Sequence, residues 1–171
     1  GVVQDRQLRV APRRRMSGDH YSGYVSASAW DMTGACSQVE VLKQAGDAAT
    51  TVFSIGIDSN NWYRFRAVGS KLFLENSNRG KRSYTVVHYD GTQQRFWRFR
   101  HDRSNDSVVF ETSVDGTTNT WVNRRIVVRK LPLTAMRVEL GAGTSKSVNI
   151  SIPAQFDNFA LEPYVTYPSP T

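Results

Sequence analysis

Arginines at alternate positions carry the most chemistry in this chain. Arg64 and Arg66 flank Phe65, Arg98 and Arg100 flank Phe99, and Arg125 and Arg129 share one parity further along. In an extended segment alternate side chains emerge on the same face, so each pair would present two guanidinium groups together. Such forks donate paired hydrogen bonds to carboxylate, sulfate or hydroxyl groups, and their planes stack on rings. If these segments share a sheet, a guanidinium-rich face results. The alternative is a solvated face on which Glu111 and Glu139 are interleaved with the arginines.

Four tryptophans and seven tyrosines supply flat apolar surfaces. Sugar rings pack their CH faces on such surfaces while adjacent polar side chains take up the hydroxyls. Trp62 and Trp121 lie beside turn residues and are the candidates for an exposed stacking platform; Trp97, opposite in parity to Arg98 and Arg100, belongs to the core. Glu111 alternates with Val108 and Phe110 and should face solvent. The candidate ligand-binding set is therefore Trp62, Arg64, Arg66, Arg98, Arg100, Glu111 and Trp121.

Glycoside cleavage needs two carboxylates on one wet face, about 5 to 10 Å apart. The acidic residues within expected strands are Glu75, Glu111, Glu139 and Asp157. Glu111 has no second carboxylate two residues on, because position 113 is serine. Glu139 alternates with Arg137 and reads as a cross-strand ion-pair partner. The three histidines are dispersed, and neither HExxH, GxSxG, GxxxxGK[ST] nor GxGxxG occurs. No catalytic residue is assigned. Cys36 is the lone cysteine, which excludes an internal disulfide framework, a cysteine zinc site and a CxxC motif.

The elements that must hold these residues are strands. From Gly23 to Leu161 short runs of Val, Ile, Phe, Tyr, Trp and Thr are broken about every 8 to 12 residues by Gly, Asn, Asp or Ser. Asn61 to Val68 alternates, with Tyr63, Phe65 and Ala67 on one face and Trp62, Arg64 and Arg66 on the other. Val68-Gly69-Ser70 turns into Lys71 to Glu75. Further strands are expected over residues 94–101, 107–112, 124–131, 135–140, 147–152 and 156–161. No stretch keeps a helical apolar period for three turns. Ser113-Val114-Asp115-Gly116 and the residues up to Trp121 resemble an Asp-box hairpin, a folding device.

At 171 residues one core is the default, and no apolar run approaches the roughly 18 residues of a spanning helix. No membrane partner is expected. Twenty-two basic against 15 acidic residues leave +7, which favours acidic partners; a nucleic-acid role would rest on that charge alone. The expected organisation is a basic segment over 1–20, which contains Arg13-Arg14-Arg15 and packs on or leads into the sandwich, a sandwich over 21–162 and a proline-rich linker or tail over 163–171. The tail suggests that the domain belongs to a multidomain polypeptide.

The segments Asp58 to Phe65, Gln94 to Arg100, Phe110 to Thr118 and Phe156-Asp157-Asn158-Phe159 resemble jelly-roll domains of the concanavalin A-like lectin and glucanase superfamily, in their laminin G-like bacterial branch. The resemblance implies an all-β jelly-roll β-sandwich of two antiparallel sheets. It further implies a non-catalytic carbohydrate-binding module of a secreted or surface protein, with a polysaccharide or glycan, favourably an anionic one, as partner. A structural module such as a phage tail or adhesin domain, and a glycoside hydrolase or lyase, are the alternatives. Glucanases of the class use E-x-D-x-x-E; Glu111-Thr112-Ser113-Val114-Asp115 lacks its middle Asp and final Glu. Relatives hold a structural calcium near the last strand, which would make Asp157 a metal ligand.

Overall fold

The computed structural model describes residues 2–4, 7–16, 18–46, 48–147 and 152–163, with side chains from residue 7 onward. Within them are thirteen strands: β1 (Val2–Gln4), β2 (Gln7–Val10), β3 (His20–Val25), β4 (Ala35–Lys43), β5 (Thr50–Asp58), β6 (Asn61–Val68), β7 (Lys71–Asn78), β8 (Lys81–His88), β9 (Phe96–Asp102), β10 (Ser107–Ser113), β11 (Val122–Val128), β12 (Arg137–Thr144) and β13 (Ala154–Pro163). They form two antiparallel sheets. One has seven strands in the order β1-β2-β13-β4-β9-β10-β11, the other six in the order β3-β12-β5-β6-β7-β8. This is the all-β sandwich expected from the period-2 patterning.

The stretch Asn61 to Val68 is β6 as read, and its faces divide as its alternation requires. Tyr63, Phe65 and Ala67 are at most 1% exposed. Phe65 lies at the centre of the core, with ring centroids 4.9 Å from Phe99, 5.3 Å from Phe110, 5.5 Å from Trp97 and 6.1 Å from Phe53. Aromatics of both sheets thus interlock across the sandwich, where burial and edge or offset contacts both stabilise. Trp97 is fully buried, as its parity implied.

Strand positions at the two ends refine the expected organisation. The first 20 residues contain β1 and β2, which pair with each other and with β13, so part of this segment belongs to the sheet itself. Arg13, Arg14 and Arg15 are exposed in the connection that follows. Strand β13 runs through Pro163, and the rest of the tail lies outside the described residues, as does most of the strand expected over 147–152. Among the described residues no helix is long and apolar enough to cross a membrane.

Candidate functional site

The arginine pairs do not share a face. Arg64 and Arg66 stand on β6 of the six-stranded sheet, Arg98 and Arg100 on β9 of the seven-stranded sheet, and each pair points outward from the common core. The four therefore emerge on opposite sides of the sandwich. Arg125 and Arg129 join neither pair. Arg125 spans the open edge between the sheets to reach the Leu74 carbonyl and Ser83 Oγ, and Arg129 makes a two-pronged ion pair with Asp106.

The same device is built twice. In the six-stranded sheet Glu75 of β7 sits directly opposite Arg64; Arg64 Nη2 lies 2.7 Å from its Oε2 and Arg66 Nη2 2.6 Å from its Oε1. In the seven-stranded sheet Glu111 of β10 sits opposite Arg98; Arg98 Nη2 lies 2.7 Å from its Oε2 and Arg100 Nε 3.1 Å from its Oε1. Register explains both, because a carboxylate reaches its direct and its diagonal cross-strand neighbours on one face.

Burial separates the two devices. Glu111 is 3% exposed, and the side chains of Arg98 and Arg100 are each 11% exposed. Glu111 thus faces outward, as its parity implied, but does not face solvent. Trp121 lies under the Arg98 guanidinium, 3.9 Å from ring centroid to Cζ, and is half-buried rather than an open platform. Arg98, Arg100, Glu111 and Trp121 form a packed structural unit on this sheet. Next to it, the Asp-box resemblance is realised as a turn: Asp115 Oδ1 accepts from the Thr117 N–H and from the hydroxyls of Thr117 and Thr120, with Gly116 at φ +78°.

Arg64 and Arg66, with side chains 23% and 25% exposed, border open space instead. Two depressions of about 380 Å³ and 610 Å³ share Arg64, Arg82 and Glu139 in their linings and make one groove across the outer face of the six-stranded sheet. Trp62 lines it but is only 8% exposed; its Nε1 donates to the Ser59 carbonyl, and the guanidinium groups of Arg64 and Arg82 lie 4.0 and 5.5 Å from its ring. The Arg64 guanidinium rests on the Trp62 ring, so the indole is covered rather than bare as expected.

The exposed rings of this face are tyrosines that sequence parity did not single out. Tyr21 on β3 is 54% exposed and Tyr84 on β8 is 62% exposed, at opposite margins of the sheet. Five inter-strand steps of about 4.8 Å put β3 and β8 about 24 Å apart. Beside Tyr21 side chains are missing: Gly23 and Gly141 are direct cross-strand partners, and Gly143 lies against Tyr21. A Cβ on Gly143 would stand 2.2 Å from Tyr21 Cδ1 and 2.5 Å from the His20 carbonyl, so only glycine lets Tyr21 lie flat there. Glycines inside strands signal such close approach, and this was the legible clue to the site.

The groove's electrostatics are balanced. Its lining carries Arg64, Arg66, Arg82 and Arg137 against Asp19, Asp58, Glu75 and Glu139. Arg137 is directed away to the carbonyls of Ser26 and Ala27 and does not pair with Glu139, whose Oε2 accepts a weak 3.4 Å contact from Ser54 Oγ. Glu139 is therefore an acceptor with lone pairs to spare. Glu75 is spent: burial would raise its carboxyl, but hydrogen bonds and charges from Arg66 and Arg64 outweigh this and hold it below the usual carboxylate range.

A pH dependence follows from this sign. A carboxyl that releases its proton at lower pH in the folded state than in the unfolded one stabilises fully above about pH 5 and loses that contribution as pH falls below about 4. Asp106, held down at about 2 by Arg129 and then His101, acts in the same direction. Denaturant midpoints measured in steps from about pH 6 to about pH 2 are expected to hold at first and then fall steadily. A flat profile would show that these ion pairs do not survive in solution.

Asp157 is engaged locally on β13. Its Oδ1 accepts the Asn158 N–H at 2.7 Å, and its cross-strand neighbour Glu40 is engaged by Arg95 and by Asn158 Nδ2. Calcium takes roughly six to eight oxygens. Among the described residues no group of three or more His, Cys, Asp or Glu side chains could hold a metal.

No protein-family model matches the chain, and no curated protein matches it in sequence. Solved structures do match its fold. The VIP36 exoplasmic/lumenal domain in its Ca2+/Man3GlcNAc-bound form superposes with a TM-score of 0.64 at 9% identity, covering 99% of this chain and 83% of that one. The Crh5 transglycosylase in complex with NAG gives 0.57 at 13% identity over 89% and 72%. A toad ovary galectin in complex with N-acetylgalactose gives 0.51 at 15% identity over 82% and 97%. These likenesses show the fold, a concanavalin A-like jelly-roll sandwich of two antiparallel sheets.

Proposed function

We propose that the chain is a non-catalytic carbohydrate-binding module that holds a glycan in the groove across its six-stranded sheet. The observation that carries the reading is the open groove itself, whose lining brings an uncommitted acceptor, Glu139, together with the guanidinium donors of Arg64 and Arg82 and, in one half, the exposed ring of Tyr21. A polyhydroxylated ring needs donors and acceptors side by side together with a flat apolar surface, and this face provides all three. The saccharides bound to the toad galectin and to VIP36 support it by analogy of fold. The exoplasmic/lumenal setting of VIP36 supports an extracellular or cell-surface location, where a module of this kind would serve as part of a larger protein.

The absence of a catalytic role is supported by the state of Glu75. Glycoside cleavage needs a general acid with a raised pKa. Glu75 shares the groove with Glu139 but is shifted the other way, with both oxygens occupied by arginines.

Affinity electrophoresis against a panel of polysaccharides tests the reading. Glu139→Gln and Arg64→Ala are each expected to weaken retention about tenfold or more, the yield of one hydrogen bond to a charged group. Addition of EDTA is expected to change nothing, since Asp157 lies in the other sheet. Full retention by both variants, or release of reducing ends by the wild-type protein, would overturn it.

A further inference from the structure

The groove lining as a whole is balanced in charge, but basic residues gather beside one end of it. There the β7–β8 hairpin turns through Asn78-Arg79-Gly80-Lys81-Arg82, with three cations in four residues, all exposed. Arg79 and Gly80 have φ values of +52° and +78°, the left-handed pair of a tight hairpin turn. The tip is pinned. The Arg79 N–H donates to Asn61 Oδ1, the Gly80 N–H to the Asn60 carbonyl and Ser77 Oγ to the same carbonyl, which ties it to the β5–β6 turn that closes the groove.

These cations differ from six other arginines, each of which meets a carboxylate. Arg64 and Arg66 are paired with Glu75, Arg95 with Glu40, Arg98 and Arg100 with Glu111, and Arg129 with Asp106. Among the described residues Arg79, Lys81 and Arg82 take part in no ion pair, and Arg82 lines both halves of the groove. A guanidinium on a pinned tip and in no ion pair is preorganised to accept an oxyanion without first breaking an internal pair.

From this we infer that the glycan is an acidic one, with a sulfate or carboxylate group seated against the 79–82 tip and its neutral rings in the groove. The inference rests on the glycan-binding reading above and specifies its ligand. Both oxyanions share the chemistry of planar or tetrahedral acceptors for guanidinium donors.

The test is a glycan array carrying matched pairs that differ only in charge, such as a galacturonate oligomer with its methyl ester and a sulfated galactan oligomer with its desulfated form, followed by titration of the pairs that bind. The acidic member is expected to bind about tenfold or more tighter than its partner. In the variant Arg79→Gln/Lys81→Gln/Arg82→Gln that ratio is expected to collapse towards one, and Arg82→Gln alone is expected to reduce it. The variant Arg13→Gln/Arg14→Gln/Arg15→Gln, which loses the same charge from a connection that lines no part of the groove, is expected to keep it. The pair that responds, uronate or sulfate, identifies the group. Equal binding of charged and neutral members would overturn the inference and leave the glycan-binding reading intact, as would loss of the ratio in the Arg13–Arg15 variant, which would assign it to overall charge. Absence of binding to any glycan on the array would overturn both.

Discussion

Replacing Glu111 by glutamine is expected to lower the stability of the fold by about 3–5 kcal/mol, because removing one partner of a buried ion pair strands the other charge in a poorly solvated place. Glu111 holds two guanidinium groups at once, and all three side chains are nearly withdrawn from water. Glutamine keeps the volume and one acceptor oxygen but not the charge. Arg100 would retain its 3.3 Å contact to Asp102, which places the loss toward the lower end of that range. Urea unfolding at neutral pH measures it as a fall in midpoint at unchanged slope. The parallel substitution Glu75→Gln should cost less, since Arg64 and Arg66 keep more than a fifth of their surface in water and can be solvated when released. A Glu111 variant as stable as the wild type would mean that the seven-stranded sheet does not bury this triad.

Phe65→Ala is expected to have an effect of similar size, about 3–5 kcal/mol, for a different reason. The ring touches four aromatic neighbours drawn from both sheets, so its loss leaves a cavity bounded by Phe53, Trp97, Phe99 and Phe110. None of these can collapse into the void without leaving its own strand register. For a domain of this size the melting temperature should drop by about 10 °C or more. Since domains of this kind are held by only about 5–15 kcal/mol, either substitution removes a large share of the total. A drop of only a few degrees would show that the two sheets are not joined through this ring.

Much of the fold was legible because alternation is a local property. The strand Asn61 to Val68 and the inward placement of Tyr63, Phe65, Trp97 and Phe110 follow from period two alone. The exposure of Trp62 was not legible. Its neighbour Arg64 folds back over the ring, and Ser59 takes its N–H, both consequences of a turn whose shape no periodicity describes. Tyr21 was passed over because its value depends on Gly143, more than a hundred residues away, leaving room beside it.

Taken by itself, the sequence determined that the chain is a stack of short amphipathic strands, and which side chains of each strand look inward. Only the tertiary structure decided which strands lie together. Arg64-Phe65-Arg66 and Arg98-Phe99-Arg100 are indistinguishable in pattern, and each finds a glutamate on the following strand. Yet one triad borders an open groove and the other is packed away on the far side. The reason is that both sheets of a sandwich bury one face against the same core, so they impose the same alternation. Sheet membership is set by pairings between distant segments, such as β9 with β4 and β6 with β5, which leave no mark in either strand alone.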